Sequence, residues 1–416
     1  MEKIQSLKYS LIRNQEMYFL IFALFGYIFG YIDPYNSSGY PHYINAFIRA
    51  ALFVISVYFI GKNISIIKER KVLVAAFVTF FSFYLFKLYH TIPDLNLPAD
   101  ALQKLKYSIY YFGFVIIPVP VVALLSLNYE KIDFKKFFRI VFWLYFILLA
   151  INFIHTHFIF DNYSSNGRSG IFRLYYITVG HYGLSLVIMA LYSFLILKIK
   201  GFQYIIAVFL GLFPMYVAAA RSPVLALVII LFVFLMLLNK RKYWISFFSL
   251  ILLSFLALYF IYQSKIAEDF IFFKRLNAAI FENNASGRAF YLNSGIEIFR
   301  EHPLSGGNAL LSDGAYSHNI FIDILMSTGL LGMVLFIIYF KFVIRSFFKV
   351  LKNIYKYKES GILIFFFLQY LILAQTSGSL YLSFELWYFG AAVIGLGYIN
   401  FTNEEIKSNN RRGNTA

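Results

Sequence analysis

Ser286–Gly332 reads SGRAFYLNSGIEIFREHPLSGGNALLSDGAYSHNIFIDILMSTGLLG. The chain stays polar from about Gln263 to His318 and turns apolar again at Asn319. To either side it is apolar enough to sit in lipid. Sixty per cent of residues are hydrophobic, 14% are charged, and mean hydropathy is +0.70. These values exclude an ordinary soluble protein. One long polar excursion in such a chain, carrying Arg288, Arg300, His302 and His318, is where chemistry is expected.

On either side of this stretch, apolar runs of roughly twenty residues recur, each long enough to cross a hydrocarbon core of about 30 Å. Backbone polar groups in lipid must pair internally, so these runs are helices rather than isolated strands. Twelve are read, near 17–32, 43–60, 72–89, 107–127, 140–160, 175–197, 202–217, 224–238, 243–262, 319–343, 361–380 and 382–401. Two places admit another division: 202–217 with 224–238 as one broken helix, and 361–401 as one kinked span.

The formal charge of +17 invites a nucleic-acid reading, but its distribution argues against one. Basic residues crowd into alternate loops: Lys62, Lys68, Arg70 and Lys71; Lys131, Lys135, Lys136 and Arg139; Lys198 and Lys200; Lys240, Arg241 and Lys242; Arg345, Lys349, Lys352, Lys356 and Lys358. The loops around Asp33–His42, His90–Lys106 and Gln375–Ser383 are poor in positive charge. That is the positive-inside pattern. It places both termini in the cytoplasm and loop 263–318 outside, between the ninth and tenth spans of a single polytopic domain, 1–416. No cleavable signal peptide is read, the first apolar run being kept as a span.

The absence of cysteine excludes disulfides, thiol catalysis and thiolate metal sites. The Tyr and Phe load reflects in part aromatic belts at the two membrane interfaces and is mostly structural.

A few cations lie on or near the outer side, where each costs several kcal/mol unless paired or wetted. Arg221, in AAARSP, follows three alanines and precedes Ser222-Pro223, a spacing that starts a helix with proline in its first turn. A guanidinium beside the free N–H groups of a helix start suits an anion. The plainer alternative is an arginine reaching to the interface. Arg288 heads an expected amphipathic helix whose apolar stripe is Ala289, Leu292, Ile296 and Phe299, with Asn293, Glu297, Arg300 and Glu301 facing away. Pro303 and Gly306-Gly307 end it. Such a helix would lie flat over the bundle; a merely solvated arginine is the alternative. Arg168 and Arg173, in a Gly/Ser-rich loop, can bind an anion together, although their spacing fixes no geometry.

Most of the seven histidines mark span ends or loops. His155 and His157 diverge by about 200° on a helix and make no metal site. His181, beside Gly180 and Gly183 inside the sixth span, suits a hydrogen bond to another helix better than catalysis, and counts among the binding candidates. His318 stands where the outer loop re-enters the membrane. Asn319 or Ser317 can cap the helix that follows, holding the imidazole at the interface. Asp323, five residues on, is a loosely spaced candidate to orient the ring. An imidazole titrates in the range needed to take a proton from a sugar hydroxyl. Without the nearby arginines, a polar residue at a membrane boundary would be the preferred reading.

Cations and one potential base, without a carboxylate cluster or a metal-ligand spacing, suit a reaction whose leaving group is a phosphate anion. An external site has no access to ATP or a nucleotide sugar. A sugar carried on a lipid diphosphate does reach it.

These motifs resemble the bacterial O-antigen polymerase and O-antigen ligase superfamily. The likeness lies in Arg288 followed by a helix and His-Pro-Leu-Ser-Gly-Gly, then Ser-His-Asn leading into Gly329-Leu330-Leu331-Gly332. It is specific over about 286–332, weaker at Ala218–Pro223 and topological elsewhere. One departure is Tyr291, where the family commonly has a tryptophan a few positions after the loop arginine.

The resemblance implies a GT-C-like, all-α integral membrane fold of about twelve helices, with a long periplasmic loop containing an amphipathic helix, in the bacterial inner membrane. It implies a glycosyltransferase that uses a polyprenyl-diphosphate-linked repeat unit, with neither metal nor other cofactor. In it Arg221 and Arg288 bind the diphosphate and His318 deprotonates or orients the acceptor hydroxyl. Arg168, Arg173, Arg300, His181, Tyr291 and Asn319 are expected around the diphosphate or glycan. Expected partners are lipid-linked repeat units, membrane lipids, a chain-length regulator and a flippase, and no nucleic acid. Polymerase is favoured over ligase. A flippase is the rival of another class, although the two halves of the chain show no internal repeat.

Overall fold

The computed structural model describes residues 14–31, 43–156, 176–263 and 288–400, and all regular structure among them is helical. In chain order the main helices are α1 Gln15–Phe25, α2 Tyr43–Lys62, α3 Lys71–Thr91, α4 Ala99–Ile109, α5 Pro118–Ser126, α6 Phe134–Ile154 and α7 Tyr176–Leu195. They continue as α8 Phe202–Val217, α9 Arg221–Leu238, α10 Arg241–Gln263, α11 Arg288–Glu301, α12 Ile320–Lys352, α13 Ile362–Ser377 and α14 Phe384–Gly397. Among the described residues, eight helical stretches are long and apolar enough to cross a membrane, and four shorter apolar helices fall on the remaining runs read from the sequence. The chain is a multi-pass membrane protein.

Both ambiguous places resolve into separate helices. Ala218–Ala220 part α8 from α9, and residues 378–383 part α13 from α14. The fourth run is longer than expected. It begins at Ala99 and passes through a π-helical stretch, Tyr110–Ile116, before α5. The Ile117 amide reaches back five residues to the Phe112 carbonyl (3.2 Å). Proline has no N–H, so Pro120 supplies no helical donor for the Ile116 carbonyl; the Tyr388 hydroxyl donates to it instead.

The described chain falls into two compact units. The described residues within 1–30, 38–139 and 288–416 form one, and those within 31–37 and 140–287 the other. In the first, α12 packs on α3, α11 and α14, and α14 packs on α5 and α13. Trp387 lies at the middle of this core, 5.7–5.9 Å from the rings of Phe77, Phe80 and Phe81. Its indole donates to the Leu380 carbonyl (2.9 Å). Elsewhere in the same unit, cations close helix C-termini: Arg70 donates to the Leu125 carbonyl (2.6 Å) and Lys349 to that of Gly397 (2.6 Å). In the second unit α7 packs on α8 and α9. A Cβ at Gly183 would stand 2.3 Å from the Gly211 carbonyl oxygen, so this crossing requires glycine.

Candidate functional site

In the first unit the segment after α11 locks into a break in α12. Gly329, with φ 61° and ψ −157°, interrupts the helix within its apolar run. The amides of Leu330 and Leu331 therefore lose their helical acceptors and the Met326 carbonyl loses its donor. The Pro303–Gly307 turn restores all three. Leu330 N–H donates to the Pro303 carbonyl (2.9 Å), Leu331 N–H to that of Leu304 (3.1 Å), and Gly307 N–H to that of Met326 (2.9 Å). Gly306, at φ +68°, lies so close that a Cβ would meet the Ser327–Thr328 backbone at 2.4 Å. From α3, the Lys87 ammonium donates to the Gly306 carbonyl (2.9 Å) and the Thr91 hydroxyl accepts from the Ala309 amide (2.7 Å).

This anchored loop delivers the chain to His318, whose φ is +61°. A bulky residue in the left-handed region costs of order 1–3 kcal/mol and persists where its surroundings over-determine it. Asn319 is the cap of α12. Its side-chain oxygen accepts from the Phe321 and Ile322 amides (3.0 and 3.2 Å), and its amide nitrogen donates to the Gln375 carbonyl (3.2 Å). Asp323 does not orient the imidazole directly. Its buried carboxylate accepts from the Ser317 amide (3.3 Å), the Ser317 hydroxyl (3.1 Å) and the Leu380 amide (3.0 Å).

The half-buried His318 ring is flanked by Tyr291 and Tyr316, with centroids 5.4 and 4.5 Å away. Burial holds its pKa below the ordinary histidine value, and the Arg288 charge pushes the same way, against the raising effect of the Ser377 carbonyl. Burial raises the Tyr316 phenol, as does the Asp323 charge, while Arg288 lowers it. Arg288, Tyr291, Tyr316, His318 and Asn319 therefore belong to one cluster.

α11 begins at Arg288 as read from the sequence, but its packed face is shifted around the helix: Leu292, Ile296 and Phe299 of the expected stripe are half-buried, and Ala289 is not. Gly295 is the buried residue, in contact range of Ile322, Ser317 and Met326, while Ala289 is exposed and Phe290 is 67% exposed. The helix docks through its smallest residue because α12 approaches closely there, a contact that hydrophobicity does not encode. Asn293, Glu297, Arg300 and Glu301 are exposed, as expected. Arg300 lies at the far end of α11, about 18 Å along the axis from Arg288.

Arg221 belongs to the second unit, where it is the half-buried first residue of α9. Ala219, at φ 47°, and the extended Ala220 turn the chain between α8 and α9. The break is built against α7: a Cβ at Gly180, next to His181, would lie 3.3 Å from the Ala218 Cβ and 3.8 Å from Pro223 Cγ. Arg168 and Arg173 lie outside the described residues, as do His157 and residues 264–287 of the polar excursion.

Sequence reasoning passed over Lys87, although a lone lysine inside an apolar run is itself a signal. The sequence alone suggests no role for Tyr316; its ring comes to lie beside that of His318 at the left-handed turn. Among the described residues no group of three or more His, Asp or Glu is placed to hold a metal ion.

No curated protein matches the chain. Residues 206–337 match the family model described as O-antigen ligase. The match runs from α8 through Arg221, Arg288 and His318 into α12 and supports the resemblance to the O-antigen polymerase and ligase superfamily.

Proposed function

We propose that this protein is a glycosyltransferase that polymerises O-antigen or a related surface polysaccharide, taking glycan from a polyprenyl diphosphate at the periplasmic face of the bacterial inner membrane. The observation that carries this reading is the cluster of Arg288, Tyr291, Tyr316 and His318 at the turn into α12, inside the matched segment. His318 takes the proton from the acceptor hydroxyl as that oxygen attacks the anomeric carbon. The new glycosidic bond forms as the bond to the diphosphate oxygen breaks, and the electron pair leaves with polyprenyl diphosphate. Attack opposite the leaving group inverts the anomeric centre. A lowered pKa keeps the imidazole neutral and able to accept a proton at neutral pH. The Arg288 guanidinium offsets charge developing on the departing diphosphate, and the tyrosine rings give the sugar apolar faces to stack on.

Arg221, at the first turn of α9, is a second candidate for phosphate oxygens, supported by its helix start and by the resemblance. The polymerase reading, with the terminal sugar of another lipid-linked repeat as acceptor, rests on the chain's size, aromatic load and modest loop, by analogy with the family. A ligase, transferring to the lipid A core, is the second reading, favoured by the description of the matched model.

Deleting the gene separates these. Lipopolysaccharide carrying one repeat unit is expected for a polymerase, and none for a ligase or flippase. Arg288→Ala and His318→Ala should abolish extension while the protein still inserts, and extension should continue in EDTA. Full activity in either variant would sink the site assignment.

A further inference from the structure

Asp323 is 1% exposed in the first turn of α12, amid an apolar run where a carboxylate is costly. Its two oxygens divide their partners between two chain segments. One accepts from the amide and hydroxyl of Ser317, the residue before His318; the other accepts from the amide of Leu380 in the α13–α14 loop. That loop starts at the end of α13, where the Ser377 carbonyl faces the imidazole and accepts from the Tyr316 hydroxyl (3.5 Å). The carboxylate thus joins both walls of the niche in which His318 holds its left-handed conformation.

We propose that Asp323 is a positioning residue for His318, its carboxylate clamping Ser317 and Leu380 together so that the imidazole stays between Tyr291 and Tyr316. This rests on the proposed role of His318 in transfer. Around Asp323 the titratable neighbours are Tyr84 from α3, Tyr316 and Tyr381; around His318 they are Arg288 and Tyr291 from α11 and Tyr316.

The test uses full-length protein in lipid nanodiscs carrying Asp323→Asn, which keeps the shape but places an NH2 donor against amide donors. Two readouts are taken: kcat and KM for extension of a lipid-linked repeat unit, and the pH dependence of His318 modification by diethyl pyrocarbonate, followed by mass spectrometry of its peptide. The variant should lose about tenfold or more in kcat, with donor KM little changed. Its His318 midpoint should move up toward that of an ordinary histidine, as the ring leaves its buried place beside Arg288, while that of His302 stays put. Unchanged kcat and midpoint in folded variant would overturn the proposal, as would a lower folded yield alone. If Asp323→Asn does not fold, Ser317→Ala removes one arm of the clamp and should move both readouts the same way by less; no movement there is equally fatal. A wild-type protein that transfers no sugar, yet whose His318 midpoint still responds to Asp323→Asn, would refute the proposed function and leave the clamp standing.

Discussion

Gly306 and Gly329 show how much depends on single backbone conformations. Both have positive φ, and each stands where a side chain would strike backbone of the other's segment. Gly306→Ala combines left-handed strain with a backbone clash and should cost more than about 2 kcal/mol, read as a fall in the melting temperature of the solubilised protein. Gly61→Ala is the control: nothing lies within 4 Å of its added Cβ, and it should be neutral or stabilising by up to about 1 kcal/mol. His318 carries the pH prediction at this scale. A depressed pKa means the proton leaves at lower pH, so the acid limb of kcat/KM should fall below the ordinary histidine value of about 6.5. Arg288→Gln removes a charge that opposes imidazole protonation, and the midpoint of His318 modification should rise. A fall would contradict the assigned proximity. The identities of Arg288 and His318 could be singled out in the sequence because cations and imidazoles are rare in an apolar chain. The left-handed turn could not, since nothing in Tyr-Ser-His-Asn requires it.

At the scale of elements, hydropathy located every long apolar helix among the described residues, and its errors are instructive. The π-helical stretch before α5 was invisible to it, because Tyr110–Ile116 is as apolar as its neighbours. What sets it apart is the missing N–H of Pro120 and the phenol of Tyr388, which comes from α14. Tyr388→Phe leaves the Ile116 carbonyl unpaired and should destabilise by about 1–3 kcal/mol, checked by thermal unfolding in detergent. An unaltered melting temperature would show that this carbonyl is satisfied otherwise. α11 shows the complementary error. Its start and exposed face follow from Arg288 and the charge pattern, while its packing on Gly295 depends on how closely α12 approaches. The break in α12 likewise lies inside a single apolar run, at Ser327-Thr328-Gly329, where two small hydroxyl residues and a glycine do not by themselves announce a kink.

For the whole molecule, sidedness is the property on which the proposed chemistry turns. The chain contains no cysteine, so single introduced thiols report it cleanly. With Ser312→Cys and Lys352→Cys, both at exposed positions, a membrane-impermeant maleimide should label the first in spheroplasts and the second only after permeabilisation. The reverse pattern would place the His318 cluster on the cytoplasmic side and refute the external donor. Composition and hydropathy determined by themselves that this is an all-helical multi-pass membrane protein, because lipid leaves the backbone no other way to pair its polar groups. The rarity of polar residues in such a chain also made Arg221, Arg288 and His318 legible. Only the tertiary structure decided that Gly306 fills the break at Gly329, that Tyr291 and Tyr316 flank His318, and that Asp323 ties Ser317 to Leu380 rather than touching the ring. Most of those contacts join segments far apart in the chain, and the hydrogen bonds that a kink or a left-handed turn leaves open are closed by whichever segment packs beside it.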